Sequence, residues 1–281
     1  MLTKAIRNYG PHPPKKFSHL MKILIASHTT SSSSTTVDHT ELKHFKDLSS
    51  SWWDEMGRMK ALHSMNKLRI PLVRDGLINV GTVKKEFVGT TKPLQDLQIL
   101  EVGCGGGILT EPLAKLGSKI TGIDVSSELI EQAKQHAAQN LSLTNINYSL
   151  ESIDDHVKRN AEKYDAVVAS EVLEHVTDQK VFLEACVKCL KPKGSIFITT
   201  INKTTLSWLG GIVFAEYVLN FVPRGTHDWN KFIAPHITQR VLEDYKCRTR
   251  IIHGLCYNFL TNSWSWISDT SINYALHAVK D

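Results

Sequence analysis

From Gln98 to Ile201 the sequence switches repeatedly between short apolar runs and longer amphipathic ones, and few architectures accept that rhythm. The runs "QILEVG", "KITGIDV", "INYSL", "YDAVVAS" and "SIFITTI" read as strands. Between them lie a helix from about Leu109, the helix "SSELIEQAKQHAAQN", a helix near Asp154 to Glu162, and the helix "DQKVFLEACVKCLKP". Such alternation implies βαβ units and a parallel sheet. Strands that are apolar nearly throughout belong in a sheet covered on both faces. Two later runs, "TRIIHGLCY" and the alternating "INYALHAVK", predict final strands, the last an antiparallel insertion or edge. The expected fold is therefore α/β, doubly wound, with a mostly parallel seven-stranded sheet.

The residues ahead of that domain are of two kinds. Glu41 to Leu77 reads as helices interrupted by "SSSWWDE", where Trp52 and Trp53 supply large apolar faces; this is an N-terminal helical cap, followed by the loop "NVGTVKKEFVGTTKPLQD". Before it, no Asp or Glu occurs ahead of Asp38, whereas Lys4, Arg7, Lys15, Lys16 and Lys22 do. That basic stretch ends in "SHTTSSSSTT", the composition of a mitochondrial transit peptide, with a disordered basic tail as the alternative. The expected organisation is a leader at 1–37, a cap and linker at 38–96, and the main domain at 97–281 with an apolar insertion near 206–235.

The chain carries 33 Lys and Arg against 28 Asp and Glu; without the five leader cations the two signs balance. A neutral body gives no support for nucleic acid as a partner. Five cysteines, Cys104, Cys186, Cys189, Cys247 and Cys256, show no framework spacing, and the Cys186/Cys189 pair lies in a helical stretch with no second ligand pair, so reduced, packed thiols are expected.

The stretch "ILEVGCGGGILTEPLAKLG" puts a glycine cluster where a strand gives way to a helix, a place where a nucleotide can approach bare backbone. The dinucleotide fingerprint fails there, because the sixth position from Gly103 is Ile108. What stands instead is Glu101, Gly103, Gly105 and Gly107 in alternation, with Asp124 ending the next strand. A carboxylate at that point can accept both ribose hydroxyls. Here the chain resembles the class I S-adenosylmethionine-dependent methyltransferases and their Rossmann-like sheet.

The resemblance narrows beyond the loop. "WWDEMGRMKALHSMNKLRIPLVRD", "LEVGCGGGILTEPLAKLG", "ASEVLEHV", "FITTINKTTLSW" and "VPRGTHDWNKFIAP", in that order, are similar to the ubiquinone-biosynthesis O-methyltransferase family over nearly all of residues 41–281. The resemblance implies methylation of phenolic hydroxyls on polyprenylated catechol and quinol intermediates, with S-adenosylmethionine as donor. It implies cofactor contacts at Arg69, Gly103, Asp124 and Ser170, beside Glu101, Gly105 and Gly107 of the loop. It also implies a divalent metal, usually magnesium, on Glu171, Glu174 and His175, and a place in the mitochondrial matrix, peripheral to the inner membrane and near other enzymes of the pathway. Two departures concern turns alone: Lys193 stands in "LKPKG" where glycine is common, and "VLEDYKCRTRI" lacks the glycine often found between helix and strand.

Glu171, Glu174 and His175 stand at i, i+3 and i+4, so they share one face if "SEVLEHV" begins a helix. Three readings follow: a metal site, His175 as a general base oriented by a glutamate, or a charged helix start. The first has a chemical motive, since a phenol with a pKa of about 10 is only about one part in a thousand ionised at pH 7. His175 sits less easily in it, because magnesium prefers oxygen while imidazole suits manganese, iron or zinc. Finally, "LSWLGGIVFAEYVLNFV", Leu206 to Val222, has Glu216 as its single charge and reads as an interfacial helix, a lipophilic lid or a buried helix. Two other function classes stay open: an idle quinone-lipid binder in a biosynthetic assembly, and an NAD enzyme, which Ile108 disfavours.

Overall fold

The structure, a computed structural model, describes residues 36–37, 51–204 and 231–281. The segment 206–222 and the helices expected between Glu41 and Ser50 lie outside the described residues. The described helices are α1 (Lys60–Asn79), α2 (Thr110–Lys115), α3 (Ser127–Ala138), α4 (Ile153–His156), α5 (Gln179–Cys189) and α6 (Pro235–Asp244). The strands are β1 (Gln98–Val102), β2 (Lys119–Asp124), β3 (Ile146–Leu150), β4 (Tyr164–Ser170), β5 (Leu190–Ile201), β6 (Cys247–Asn258), β7 (Ser263–Ile267) and β8 (Asn273–Lys280).

They form one sheet of eight strands in the order β3-β2-β1-β4-β5-β8-β6-β7. The first five are parallel; β8 enters antiparallel between β5 and β6, and β7 pairs antiparallel on β6. The expected count of seven is thus one short. The additional strand is "SWSWI", whose alternating Trp264 and Trp266 carry the period-two signal of a half-covered edge.

Alternate strand residues divide the core in two. Leu100, Val102, Val167, Ala169, Ile196 and Ile198 pack with Phe182, Leu183 and Cys186 of α5. Ile99, Ile120, Ala166, Val168 and Phe197 pack with Leu72, Val73 and Leu77 of α1 and Leu113 of α2. Each fully buried large side chain of this kind contributes about 1.5–3 kcal/mol. α1 lies so close to β5 that a Cβ on Gly76 would stand 2.5 Å from the Phe197 ring. Cys186 and Cys189 are free and buried in α5, as packing thiols should be.

Helix starts follow their caps. Ser126 accepts the Leu129 N–H at the head of α3, and Asp178 accepts the Lys180 and Val181 N–H groups at the head of α5. The helix expected at Asp154 to Glu162 is only α4, since turns follow from Val157 onward. Thr36 and Val37, at the end of the expected leader, lie against the domain: Thr36 N–H and Oγ1 both donate to Asp154 Oδ2, and Val37 bridges Val176.

Candidate functional site

Sheet register assembles the site. Val102 is level with Ile123 on β2 and with Ala169 on β4, so the next residues, Gly103, Asp124 and Ser170, stand side by side at the carboxyl ends of three strands. Open α/β sheets bind ligands at that edge. The loop after β1 needs its glycines: Gly103, Gly105 and Gly107 have φ of 71°, 54° and 89°. A Cβ on Gly103 would meet Val172 at 2.6 Å, and one on Gly107 would meet the Tyr148 hydroxyl.

Asp124 is tied to that loop. Its Oδ2 accepts the Gly105 N–H at 2.9 Å and its Oδ1 accepts the Ser126 N–H at 2.8 Å. Burial raises its pKa, against those backbone bonds and the nearby His175, which lower it. A third backbone bond comes from Val125, and a carboxylate's roughly four acceptor sites leave capacity for a ligand hydroxyl. Glu101 is buried and accepts the Thr110 hydroxyl at 2.5 Å; burial lifts its pKa to about 7, with Thr110 and Arg69 opposing.

Arg69 reaches this edge from α1. Only 4% exposed, it donates from Nη1 to Ser170 Oγ at 3.0 Å, and from Nη2 to Leu62 O at 2.8 Å and Asn66 Oδ1 at 2.6 Å. Its Nε is buried with no hydrogen-bond partner. Burial lowers its pKa to about 10 while Glu101 and Glu171 pull it up, so it stays cationic at neutral pH. The expected contacts Arg69 and Ser170, 101 positions apart, therefore meet directly.

The acidic cluster departs from expectation. "SEVLEHV" does not begin a helix: Glu171 turns into left-handed backbone at φ 56°, and Leu173–His175 make a single 3-10 turn. The i, i+3, i+4 face is therefore absent, and among the described residues no three His, Cys, Asp or Glu are grouped to hold a metal ion. The two glutamates still act on each other electrostatically. Glu171 Oε1 is buried without a hydrogen-bond partner, and its pKa rises to about 7 through burial first and Glu174 second. Glu174, 4% exposed, accepts the Thr200 hydroxyl at 2.7 Å. His175 is half-buried, near enough for its charge to act on Glu171 and Asp124.

Several supporting residues lie within the quoted motifs but receive no role from the sequence. Asn66 fixes Arg69 from one turn earlier on α1 and donates to Ile108 O at 2.8 Å. Thr199, 2.8 Å from Ser170, and Thr200 come from the end of β5; two adjacent hydroxyls closing the apolar run "SIFITTI" are the signal that could have found them.

Known proteins bear on the family and the fold. The methyltransferase-domain family profile matches residues 100–198. The mitochondrial ubiquinone biosynthesis O-methyltransferase of Rattus norvegicus is 46% identical over 250 residues, covering 89% of this chain and 71% of the rat protein. The chain belongs to the ubiquinone biosynthesis O-methyltransferase family. The ubiquinone biosynthesis O-methyltransferase of Pelagibacter ubique is 35% identical over 246 residues, 88% of this chain and 99% of that protein, so the likeness spans a whole bacterial relative. A solved S-adenosylmethionine-dependent methyltransferase of Methanosarcina mazei superposes with a TM-score of 0.51 at 17% identity, over 66% of this chain and 93% of that one, and shows the shared fold. As a ubiquinone biosynthesis O-methyltransferase the chain is an S-adenosylmethionine-dependent methyltransferase, and the β1, β2 and β4 edge is its candidate cofactor crevice.

Proposed function

We propose that this chain methylates a phenolic hydroxyl of a polyprenylated catechol or quinol in the mitochondrion, at the crevice built on Arg69, Glu101, Asp124 and Ser170. Support comes from family membership and from one observation above the others: a buried arginine with an unused Nε beside the glycine loop. A buried cation hydrogen-bonded to a hydroxyl, a backbone carbonyl and an amide oxygen, with one N–H left over, is set to receive a carboxylate, which an amino-acid cofactor carries. Asp124 then accepts the ribose hydroxyls. Bound S-adenosylmethionine supplies an electrophilic methyl group on its sulfonium.

The chain's own task is to position the phenol and take its proton. His175, half-buried beside Glu171, receives the phenolic proton, and the resulting imidazolium lies near two carboxylates that stabilise it. Lowering a phenol pKa by about three units corresponds to about 4 kcal/mol. Glu171 and Glu174 fit a cation as a pair: two crowded carboxylates with one oxygen unpartnered are hard donors for a divalent ion, magnesium by family resemblance. Such an ion supplies Lewis acidity toward a vicinal diol. Association with the inner membrane and with other enzymes of the pathway belongs to the same proposal, through the tail of the substrate; no described helix is long and apolar enough to cross a membrane.

The test is transfer of labelled methyl from S-adenosylmethionine to a short-tailed catechol acid, with chelator and then with magnesium, manganese or zinc restored. Loss to chelator and rescue by one ion supports the glutamate pair as ligands. Activity indifferent to chelator leaves His175 as the base without a metal, and binding of cofactor with no transfer to any catechol would contradict the reading.

A further inference from the structure

The proposed crevice has a roof that the roles above do not use. Trp52 is 6% exposed, and its indole lies against the bare backbone of the glycine loop: a Cβ on Gly105 would stand 2.6 Å from its Cζ2, and one on Gly106 would strike its Cδ1. Its cluster partners are Met59, Ile108 and Leu129. Ile108 belongs to the loop after β1, and Leu129 to α3, which starts just after Asp124. One indole thus spans both walls between which Asp124 sits. Trp52 belongs to neither of the two main clusters and forms a smaller one at this edge of the sheet.

The neighbouring residue fastens it. Trp53 Nε1 donates to Gly106 O at 2.9 Å, and the Trp53 ring lies flat on His136 of α3, centroids 3.4 Å apart at 4°. His136 Nδ1 is 2.6 Å from Glu111 Oε1, a buried carboxylate in the first turn of α2. His63 Nε2 in turn lies 3.0 Å from Trp52 O. We infer that Trp52 is a cofactor-positioning residue, the apolar roof of the crevice, and that the Trp53–His136–Glu111 stack is the clasp that keeps it down.

The inference rests on the crevice being the S-adenosylmethionine site and goes beyond it by assigning the cover. A ligand held by Asp124 at this edge leaves only as fast as the roof lifts. Loosening the clasp speeds release without touching the groups that anchor the cofactor or the acceptor. An indole over the loop also keeps water from the bound ligand.

The test uses the full chain with S-adenosylhomocysteine as probe, followed by stopped-flow tryptophan fluorescence and calorimetry. Trp52→Ala should raise the dissociation constant and the KM for S-adenosylmethionine at least 10-fold, with the KM for the catechol changed less than 2-fold and partial rescue in Trp52→Phe. His136→Gln, at a half-buried position that leaves the core intact, should raise the release rate about 10-fold, and it stands in as the deciding variant if Trp52→Ala does not fold. Wild-type affinity and release rate in both His136→Gln and Trp52→Phe would overturn the inference. No binding of the probe by the wild type would instead overturn the reading of the crevice, and the roof with it.

Discussion

The carboxyl ends of β1, β2 and β4 bury charge and leave part of it unbonded, whereas the β5–β8 half of the sheet buries neutral polar groups, some in closed pairs and two, Thr249 Oγ1 and Asn202 Oδ1, without a partner. In the first region Arg69 Nε and Glu171 Oε1 have no hydrogen-bond partner, and burial holds Glu101 and Glu171 at about 7. In the second, His277 Nε2 lies 3.0 Å from Ser195 Oγ with its ring stacked on Phe197, and the Tyr274 hydroxyl lies 2.7 Å from Thr238 Oγ1. An open buried charge costs stability, and a closed pair does not. The first arrangement is the one the proposed function assigns to a ligand; the second specifies packing.

Arg69→Met should disturb the charged end most severely. It removes the proposed anchor and strands Glu101 and Glu171 without their cation, so affinity for S-adenosylhomocysteine should fall by about 3–4 kcal/mol, a few hundred-fold, in calorimetry. Retained affinity would mean the open charge serves something else.

His277 offers the opposite case. Burial lowers its pKa to about 4, with Arg250 contributing, so the fold prefers the neutral ring and the unfolded chain binds the extra proton. That preference is fully satisfied above pH ~6.5 and is lost as pH falls toward about 4, at a cost of about 3 kcal/mol. Denaturant unfolding of His277→Gln should show a shallower acid branch than wild type, with unaltered cofactor KM. Asp124→Asn, back at the open end, keeps an acceptor for one backbone N–H but loses the charge; a KM for S-adenosylmethionine raised about 30-fold, about 2 kcal/mol, is expected. Its Tm should hardly move, unlike that of a core change.

The smallest effects concern turns, and they bear on what a sequence can reveal. Lys193, where glycine is common, and Lys246, in the helix–strand turn that lacks one, both adopt left-handed backbone, at φ 67° and 62°. Glycine at either should add about 1 kcal/mol and about 2–4 °C in Tm with no effect on activity.

Local signals therefore carried far where they were periodic or steric. The five parallel strands, the glycine loop, Asp124 and the Asp178 cap all follow from short-range chemistry. The strand β7 escaped because "SWSWI" is only five residues long and two of them are serine. Whether "SEVLEHV" begins a helix is decided by tertiary contact: Val172 packs against Gly103, and the chain is left-handed at Glu171. Trp52 and Trp53 were legible as apolar faces, but no sequence pattern says that they lie on Gly105, Gly106 and His136.

Whether the open charge at the β1, β2 and β4 edge is a cofactor anchor can be read from a crystal structure of the full chain with S-adenosylhomocysteine bound. The amino-acid carboxylate should lie within hydrogen-bond distance of Arg69, and the ribose hydroxyls on Asp124. A ligand seated elsewhere, with Arg69 Nε still unbonded, would contradict that assignment.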